Sequence, residues 1–240
     1  MRKAGAGFGV SAARCVCAGS LFAGRDTRGV AALLPSLTAT RRYRIGNEIT
    51  LLGLARTGGV SIRSVAEPYL AALATDAGDT VFLSVRHGTD SVCIGRYLGS
   101  HPIQVLSIQV GARRPLGASV SGITLLAGMA EAEALAVTRA NEKRLEGVGR
   151  TVRSVLTEVA TARRNGYVYA PRGVMSGTSA IAVPLMDPSG RVVAAVSIAM
   201  LAERLPRDRV RGLVEAMRAN VEGVTGRLTQ IENARTPVRR

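Results

Sequence analysis

The chain has 240 residues, 47% of them apolar and 20% charged, and this balance predicts a folded protein rather than a disordered one. The length allows one large domain or two small ones. The sequence holds no run of about 18 apolar residues, which argues against a helical membrane span. The formal net charge of +15 favours an anionic partner such as nucleic acid.

Two features weaken the argument from charge. All but two of the 32 basic residues are arginine, and the chain is rich in alanine, glycine and valine, a bias typical of a GC-rich genome. The basic residues are also spread along the chain instead of forming a tail. Part of the charge therefore reflects composition and not a binding surface.

The cysteines and the N-terminus indicate the compartment. Cys15, Cys17 and Cys93 match neither a disulfide framework nor a metal-ligand spacing. Arg14 interrupts the apolar stretch that an export signal would need. We therefore expect a cytoplasmic protein without a metal or cofactor.

The elements before residue 100 follow clear signals. Residues 1–40 show no sustained period, and residues 43–59 read as a strand and a short helix that ends at Gly58 and Gly59. VSIRSVAEPYLAALATDAG predicts an amphipathic helix of about four turns that Gly78 closes. TVFLSVRHGTDSVCIGRYL alternates around HGTD and predicts a hairpin.

The second half predicts further helices and another pair of strands. PIQVLSIQVG reads as a strand, and helices are expected at residues 123–129, 131–138 and 147–164. SAIAVPLMD and RVVAAVSIAM read as strands joined by the turn PSG, before a long amphipathic helix. Strands in neighbouring pairs with helices around them predict an α+β fold with a largely antiparallel sheet.

The sequence offers no convincing active site. The two histidines, His87 and His101, fall in a predicted turn and a loop, where a solvated role is more common than catalysis. Neither a nucleophile elbow nor a glycine-rich phosphate loop is present. We therefore expect that the protein is not an enzyme and has no catalytic residues.

One stretch, PLGASVSGITLL, allows binding chemistry. Small residues at the start of a helix leave backbone N–H groups accessible, and these groups and the helix dipole suit an anion such as a carboxylate. The alternative is a tightly packed helix start that needs small residues for steric reasons. The residues alone leave both readings open.

From Tyr43 to about Ile231 the chain resembles the IclR-type bacterial transcriptional regulators in their effector-binding region. The matching stretches are YRIGNEITLLG, VAEPYLAALATDAGDTVFLSVRHG, VGARRPLGASVSGITLLAG, RRNGYV and AIAVPLMDPSGRVVAAVSIA. The resemblance implies a GAF-like effector domain with a curved, mostly antiparallel sheet flanked by helices. It also implies a small organic effector, an acid or an aromatic compound, together with DNA as a partner and a homodimer or homotetramer.

The resemblance also implies the ligand contacts. Carried over by motif, they fall on Leu106, Ser119, Val120, Ser121, Ala170, Ala180, Ser197 and Ala199. The family's usual polar contacts are alanine at three of these positions, and Gly173 replaces its loop glutamate. A site with so few polar side chains depends on backbone N–H groups and on shape, which predicts a more apolar or aromatic ligand than a two-carbon acid.

The resemblance further implies a winged helix-turn-helix before residue 43, where about forty residues stand instead of some sixty. We expect residues 1–42 to be its remnant or replacement, 43–59 a linker, 60–232 the effector-binding domain and 233–240 a flexible tail. The N-terminal segment is expected to be a truncation or frameshift product. It could instead bind DNA in a divergent way through Arg41, Arg42 and Arg44, or the chain could act as a stand-alone ligand-binding or oligomerisation module.

Overall fold

The computed structural model describes residues 36–37, 42–43 and 61–235, which belong to two units, Met1–Val60 and Ser61–Arg240. In the first unit, strand β1 (Ser36–Leu37) pairs antiparallel with β2 (Arg42–Tyr43). The predicted helix within residues 43–59 and the last five residues of the predicted tail lie outside the described residues.

The second unit begins with helix α1 (Ile62–Ala77), at the position that the apolar spacing predicts. Ser61 caps its N-terminus by accepting a hydrogen bond from the Arg63 amide at 3.2 Å. Gly78 ends the helix in the left-handed conformation at φ 77°, where glycine is favoured because it has no Cβ. The four-turn helix predicted here is confirmed.

A six-stranded sheet forms the centre of this unit. Its strands are β3 (Thr80–His87), β4 (Asp90–Tyr97), β5 (Arg113–Pro115), β6 (Val168–Ala170), β7 (Thr178–Met186) and β8 (Val192–Leu201). They lie in the order β5-β4-β3-β8-β7-β6, every neighbouring pair is antiparallel, and the sheet is curled. The predicted α+β fold with its two hairpins is confirmed.

The segment that joins β4 to β5 departs from prediction. PIQVLSIQVG was expected to be a strand, but no strand lies between residues 98 and 112. It is held by separate hydrogen bonds instead of a strand ladder: the His101 amide donates to the Gly78 carbonyl at 2.9 Å, and Gln104 Nε2 donates to the carbonyls of Gly78 at 3.0 Å and His101 at 2.7 Å. The segment is therefore a loop and not a strand, and of its apolar residues only Val105 is buried.

The remaining helices lie around the sheet. They are α2 (Val120–Ala127), α3 (Glu131–Ala140), α4 (Glu142–Glu146), α5 (Val152–Asn165) and α6 (Arg207–Arg235). The expected single helix over residues 147–164 begins only at Val152, because Thr151 supplies a capping box with Ser154. The last helix reaches Arg235, three residues into the segment expected to be a flexible tail.

The two faces of the sheet have different cores. On one face, α1 and α6 cover large residues such as Leu83, Ile181 and Ile198, which are fully buried. On the other face, α2 and α5 pack over smaller strand residues, among them Ala182 and Ala195. Since side chains alternate across a strand, Ala180, Ala182, Ser197 and Ala199 lie on this second side of the sheet.

The turn between β7 and β8 contains an aspartate, Asp187, whose ionisation should make the stability of the fold depend on pH. Asp187 accepts hydrogen bonds from the Ser189 hydroxyl and amide and from Arg191, and these bonds, that of the Ser189 hydroxyl above all, lower its pKa to about 2. An unfolded aspartate titrates near 3.9, so this carboxylate stabilises the fold above about pH 4 and loses that effect as the pH falls towards 2. An NMR titration should give a midpoint near 2, and a midpoint near 4 would contradict the account.

Candidate ligand-binding site

The small residues of the sheet form two adjacent rows across its centre. In the first row the register aligns Ala170 with Ala180, Ala180 with Ala199, and Ala199 with Thr80. In the second row it aligns Val168, Ala182, Ser197 and Phe82. Because alanine and serine extend little from the backbone, the first row and its neighbour Ser197 make a floor with space above it.

The start of helix α2 stands over this floor. Ser119 caps the helix, its hydroxyl accepting from the Gly122 amide at 3.3 Å, and the Ile123 amide bonds to the Ser119 carbonyl at 2.9 Å. The first N–H groups of a helix have no partner within it. The amides of Val120 and Ser121 are thus donors for a ligand, aided by the positive end of the helix dipole.

The glycines of the same motif have a steric role. A Cβ on Gly117 would lie 3.0 Å from Val155 Cγ1, and one on Gly122 would lie 2.9 Å from the Gly117 amide nitrogen. Gly117 also has φ 98°, which other residues rarely adopt. Close packing therefore explains the glycines, as the steric reading of PLGASVSGITLL predicts, whereas residues 119–121 between them line the space.

Two hydroxyls join the helix to the floor. Ser121 Oγ lies 3.0 Å from Ser197 Oγ, and the two residues are only 3% and 5% exposed. Each hydroxyl can donate one hydrogen bond and accept two. The pair therefore has unused capacity for a polar ligand atom beside the apolar floor.

Charged side chains surround the opening. Arg150 forms an ion pair with Glu158, whereas Arg172 is exposed at the rim. Arg114 of β5 is partly buried and donates from Nη2 to the Ser107 carbonyl at 2.9 Å, and burial lowers the pKa of its guanidinium. The site is therefore apolar at its floor and positively charged at its edge.

The enclosed space measures about 660 Å³, within the range of roughly 300–1,000 Å³ that small-molecule sites occupy. A groove of about 770 Å³ between α3 and α5 is larger, but each of its lining side chains is at least partly exposed. Since ligand sites bury most of their ligand, we take the smaller space, referred to below as the cavity, as the site.

Seven of the eight ligand contacts implied by the family resemblance line the cavity. They are Ser119, Val120, Ser121, Ala170, Ala180, Ser197 and Ala199. Leu106 does not: it is 51% exposed, and its neighbour Val105 is buried and lines the cavity instead. The loop between β4 and β5 turns Leu106 outward. The sequence predicted a strand there and therefore did not indicate this orientation.

Other lining residues were missed by sequence reasoning. Phe82 follows Val81 on β3 and reads as one more core residue, and Arg114 stands in a basic pair with Arg113 that reads as solvated surface. Only the strand register shows that Phe82 faces Ser197.

Among the proposed DNA contacts, Arg42 lies in β2, while Arg41 and Arg44 lie outside the described residues.

The groups that usually carry catalysis or metals lie elsewhere. His101 Nδ1 bonds within its own loop, accepting from the Ile103 amide at 3.1 Å, and His87 is exposed at the end of β3. Cys93 is buried, which raises the pKa of its thiol. Within residues 61–235, no three histidine, cysteine or acidic side chains converge on a metal-sized space, and no helix is long and apolar enough to cross a membrane.

The fold and the cavity together define a GAF-like α+β domain, in which a curled antiparallel sheet and its helices enclose a small-molecule-sized space. The model of the family described as "Bacterial transcriptional regulator IclR C-terminal" matches residues 55–225. The chain belongs to the IclR family of bacterial transcriptional regulators. It is therefore a regulator rather than an enzyme, as expected.

Individual relatives agree with this assignment. The chain is 28% identical over 187 residues to the HTH-type transcriptional repressor AllR of Escherichia coli (strain K12), covering 76% of this chain and 68% of AllR. An IclR regulator from a Silicibacter species shares the fold, with a TM-score of 0.74, 24% identity and coverage of 83% and 79% of the two chains.

A further solved relative contains a ligand. It is an IclR homolog from Microbacterium hydrocarbonoxydans complexed with 4-hydroxybenzoate, with a TM-score of 0.67 and 26% identity. The likeness covers 84% of this chain and 81% of that protein.

Proposed function

We propose that the cavity binds a small aromatic or otherwise apolar organic acid, and that this binding controls the attachment of the regulator to promoter DNA. The observation that carries the proposal is the cavity itself, which combines a floor of small residues with helix N-terminal amides that have no partner within the helix. The residues proposed to contact the ligand are Phe82 and the seven predicted residues that line the cavity.

The chemistry of the lining supports an acid with an apolar body. The amides of Val120 and Ser121 and the two serine hydroxyls can donate to a carboxylate. The Ala170–Ala180–Ala199 row and Phe82 present apolar surface to the rest of the molecule. The Microbacterium relative holds a ligand of this class, 4-hydroxybenzoate.

Calorimetry of the full chain tests the ligand class. We expect benzoate and 4-hydroxybenzoate to bind at least about tenfold more tightly than glyoxylate and pyruvate, because a two-carbon or three-carbon acid leaves the apolar floor uncovered. Tight glyoxylate or pyruvate binding, with weak binding of the aromatic acids, would overturn the proposed class.

The DNA-binding half of the proposal rests on family membership, and the residues predicted to carry it are Arg41, Arg42 and Arg44. A gel-shift assay with DNA from the promoter beside its own gene tests it. A sequence-specific shift that the acid alters supports the proposal. Weak binding that disappears with salt regardless of sequence favours the alternative, a stand-alone ligand-binding or oligomerisation module.

The remaining parts of the proposal follow from the same family. We propose residues 60–232 as the effector-binding domain, residues 43–59 as its linker, and a homodimer or homotetramer as the working form. Light scattering on the purified chain measures the oligomer, and a monomer at micromolar concentration would contradict it. A regulator of promoter DNA works beside the chromosome, so the proposal implies a cytoplasmic protein.

A further inference from the structure

Arg114 is a cation in the cavity without an acidic partner. It lines the cavity from the edge strand β5, where its side chain is partly buried. Its guanidinium donates to the neutral carbonyl of Ser107. No carboxylate of residues 61–235 lies within ion-pair distance of it.

Among the other partly buried arginines of residues 61–235, Arg150, Arg204 and Arg209 have such a partner. Arg96 donates to the Ile108 carbonyl instead, but it does not line the cavity. Arg150, also at the cavity, pairs with Glu158, and Arg204 pairs with Asp79. Placing an arginine where it is partly desolvated without a counter-charge costs free energy, and burial lowers its pKa accordingly. A ligand carboxylate in the cavity would supply the missing charge.

We propose that Arg114 forms an ion pair with the carboxylate of the ligand and thereby makes the site specific for acids over their neutral analogues. This inference rests on the proposed function, since it names the group that recognises the acid in the same cavity. The guanidinium presents a planar fork of N–H donors that matches a carboxylate, which the partial charge of the α2 N-terminus cannot do alone. The apolar body of the acid then lies towards the alanine row.

Arg113 provides a matched control for this assignment. It precedes Arg114 on β5, is exposed and does not line the cavity, because consecutive strand residues point to opposite faces. Arg114→Met and Arg113→Met remove the same charge at neighbouring positions. Arg114→Gln removes the charge but keeps an amide that can donate to Ser107, so it serves if the methionine variant folds poorly.

The experiment measures by calorimetry the dissociation constants of benzoate and 4-hydroxybenzoate, and of their amides benzamide and 4-hydroxybenzamide. The wild type is expected to prefer each acid to its amide by at least about tenfold. Arg114→Met and Arg114→Gln should weaken acid binding by about 10- to 100-fold and change amide binding by less than about threefold. Arg113→Met should bind both as the wild type does.

The outcomes separate this inference from the proposed function. If the wild type binds the acids and both Arg114 variants bind them equally well, the role of Arg114 is overturned while the proposed function stands. An equal loss of acid and amide binding also overturns it, because that result indicates a change of shape and not of charge. If the wild type binds neither acid nor amide, the proposed function fails and this inference fails with it.

Discussion

The Ala180→Leu variant is expected to fold normally and to lose affinity for the aromatic acid by at least about 100-fold. Ala180 is the middle residue of the row that joins Ala170 and Ala199 across the floor of the cavity. A leucine there would occupy the space that the aromatic ring needs. Because that space is empty of side chains, the larger residue displaces little of the protein, so the melting temperature should change little.

Ala182 provides the contrast on the same face of the same strand. It lies two residues further along β7 but is fully buried in the core beneath α2 and α5. Ala182→Leu should therefore lower the free energy of unfolding by about 1–3 kcal/mol through overpacking. Thermal melts and calorimetry on both variants measure the difference. Unchanged acid binding by Ala180→Leu would show that the acid binds elsewhere.

Asp79→Ala is expected to lower the free energy of unfolding by about 2–4 kcal/mol. Asp79 joins α1 to β3 and is 2% exposed. Its carboxylate accepts three hydrogen bonds from Arg204, at 3.0 and 3.2 Å from Nε and at 2.9 Å from Nη2, and these bonds raise the pKa of Arg204. The alanine leaves Arg204 without its partner, but that side chain is 26% exposed and can recover some hydration, which limits the loss.

Asp79 and its arginine partners also connect parts of the chain that are distant in sequence. Arg209 of α6 lies 3.8 Å from the same carboxylate and donates from Nη2 to the Ala77 carbonyl at 3.1 Å, at the end of α1. Losing Asp79 therefore weakens the contact of helices α1 and α6 with the sheet. Glu215→Ala is the control, because it breaks an exposed pair with Arg211 and should cost less than about 0.5 kcal/mol. Equal stability of the two variants in urea would contradict the account.

The fold was predictable where local signals and burial agree. The helix that Ser61 caps and Gly78 closes, and the hairpin around Gly88 and Thr89, carry both an apolar period and a turn signal. The loop from residue 98 to 112 shows the limit of this reasoning. Its apolar residues predicted a strand, but among them only Val105 is buried, and tertiary hydrogen bonds such as those of Gln104 hold the segment as a loop.

The candidate site was predictable in part for the same reason. Ser119, Val120 and Ser121 are adjacent in the sequence at a helix start, so one motif identifies all three. Arg114 was missed because its position in the cavity lining depends on the path of the chain around the cavity, which spacing does not encode. The proposed DNA contacts before residue 45 stay predictions, since the side chains there are outside the described residues.

The central claim, that the cavity is the effector site, is tested most directly by an NMR titration of the isotope-labelled chain with 4-hydroxybenzoate. We expect the amide signals of Val120 and Ser121 and those of the Ala170–Ala180–Ala199 row to shift together, with one dissociation constant. Shifts confined to the outer groove around Leu135, Val152 and Leu156, or no shifts at millimolar ligand, would contradict it.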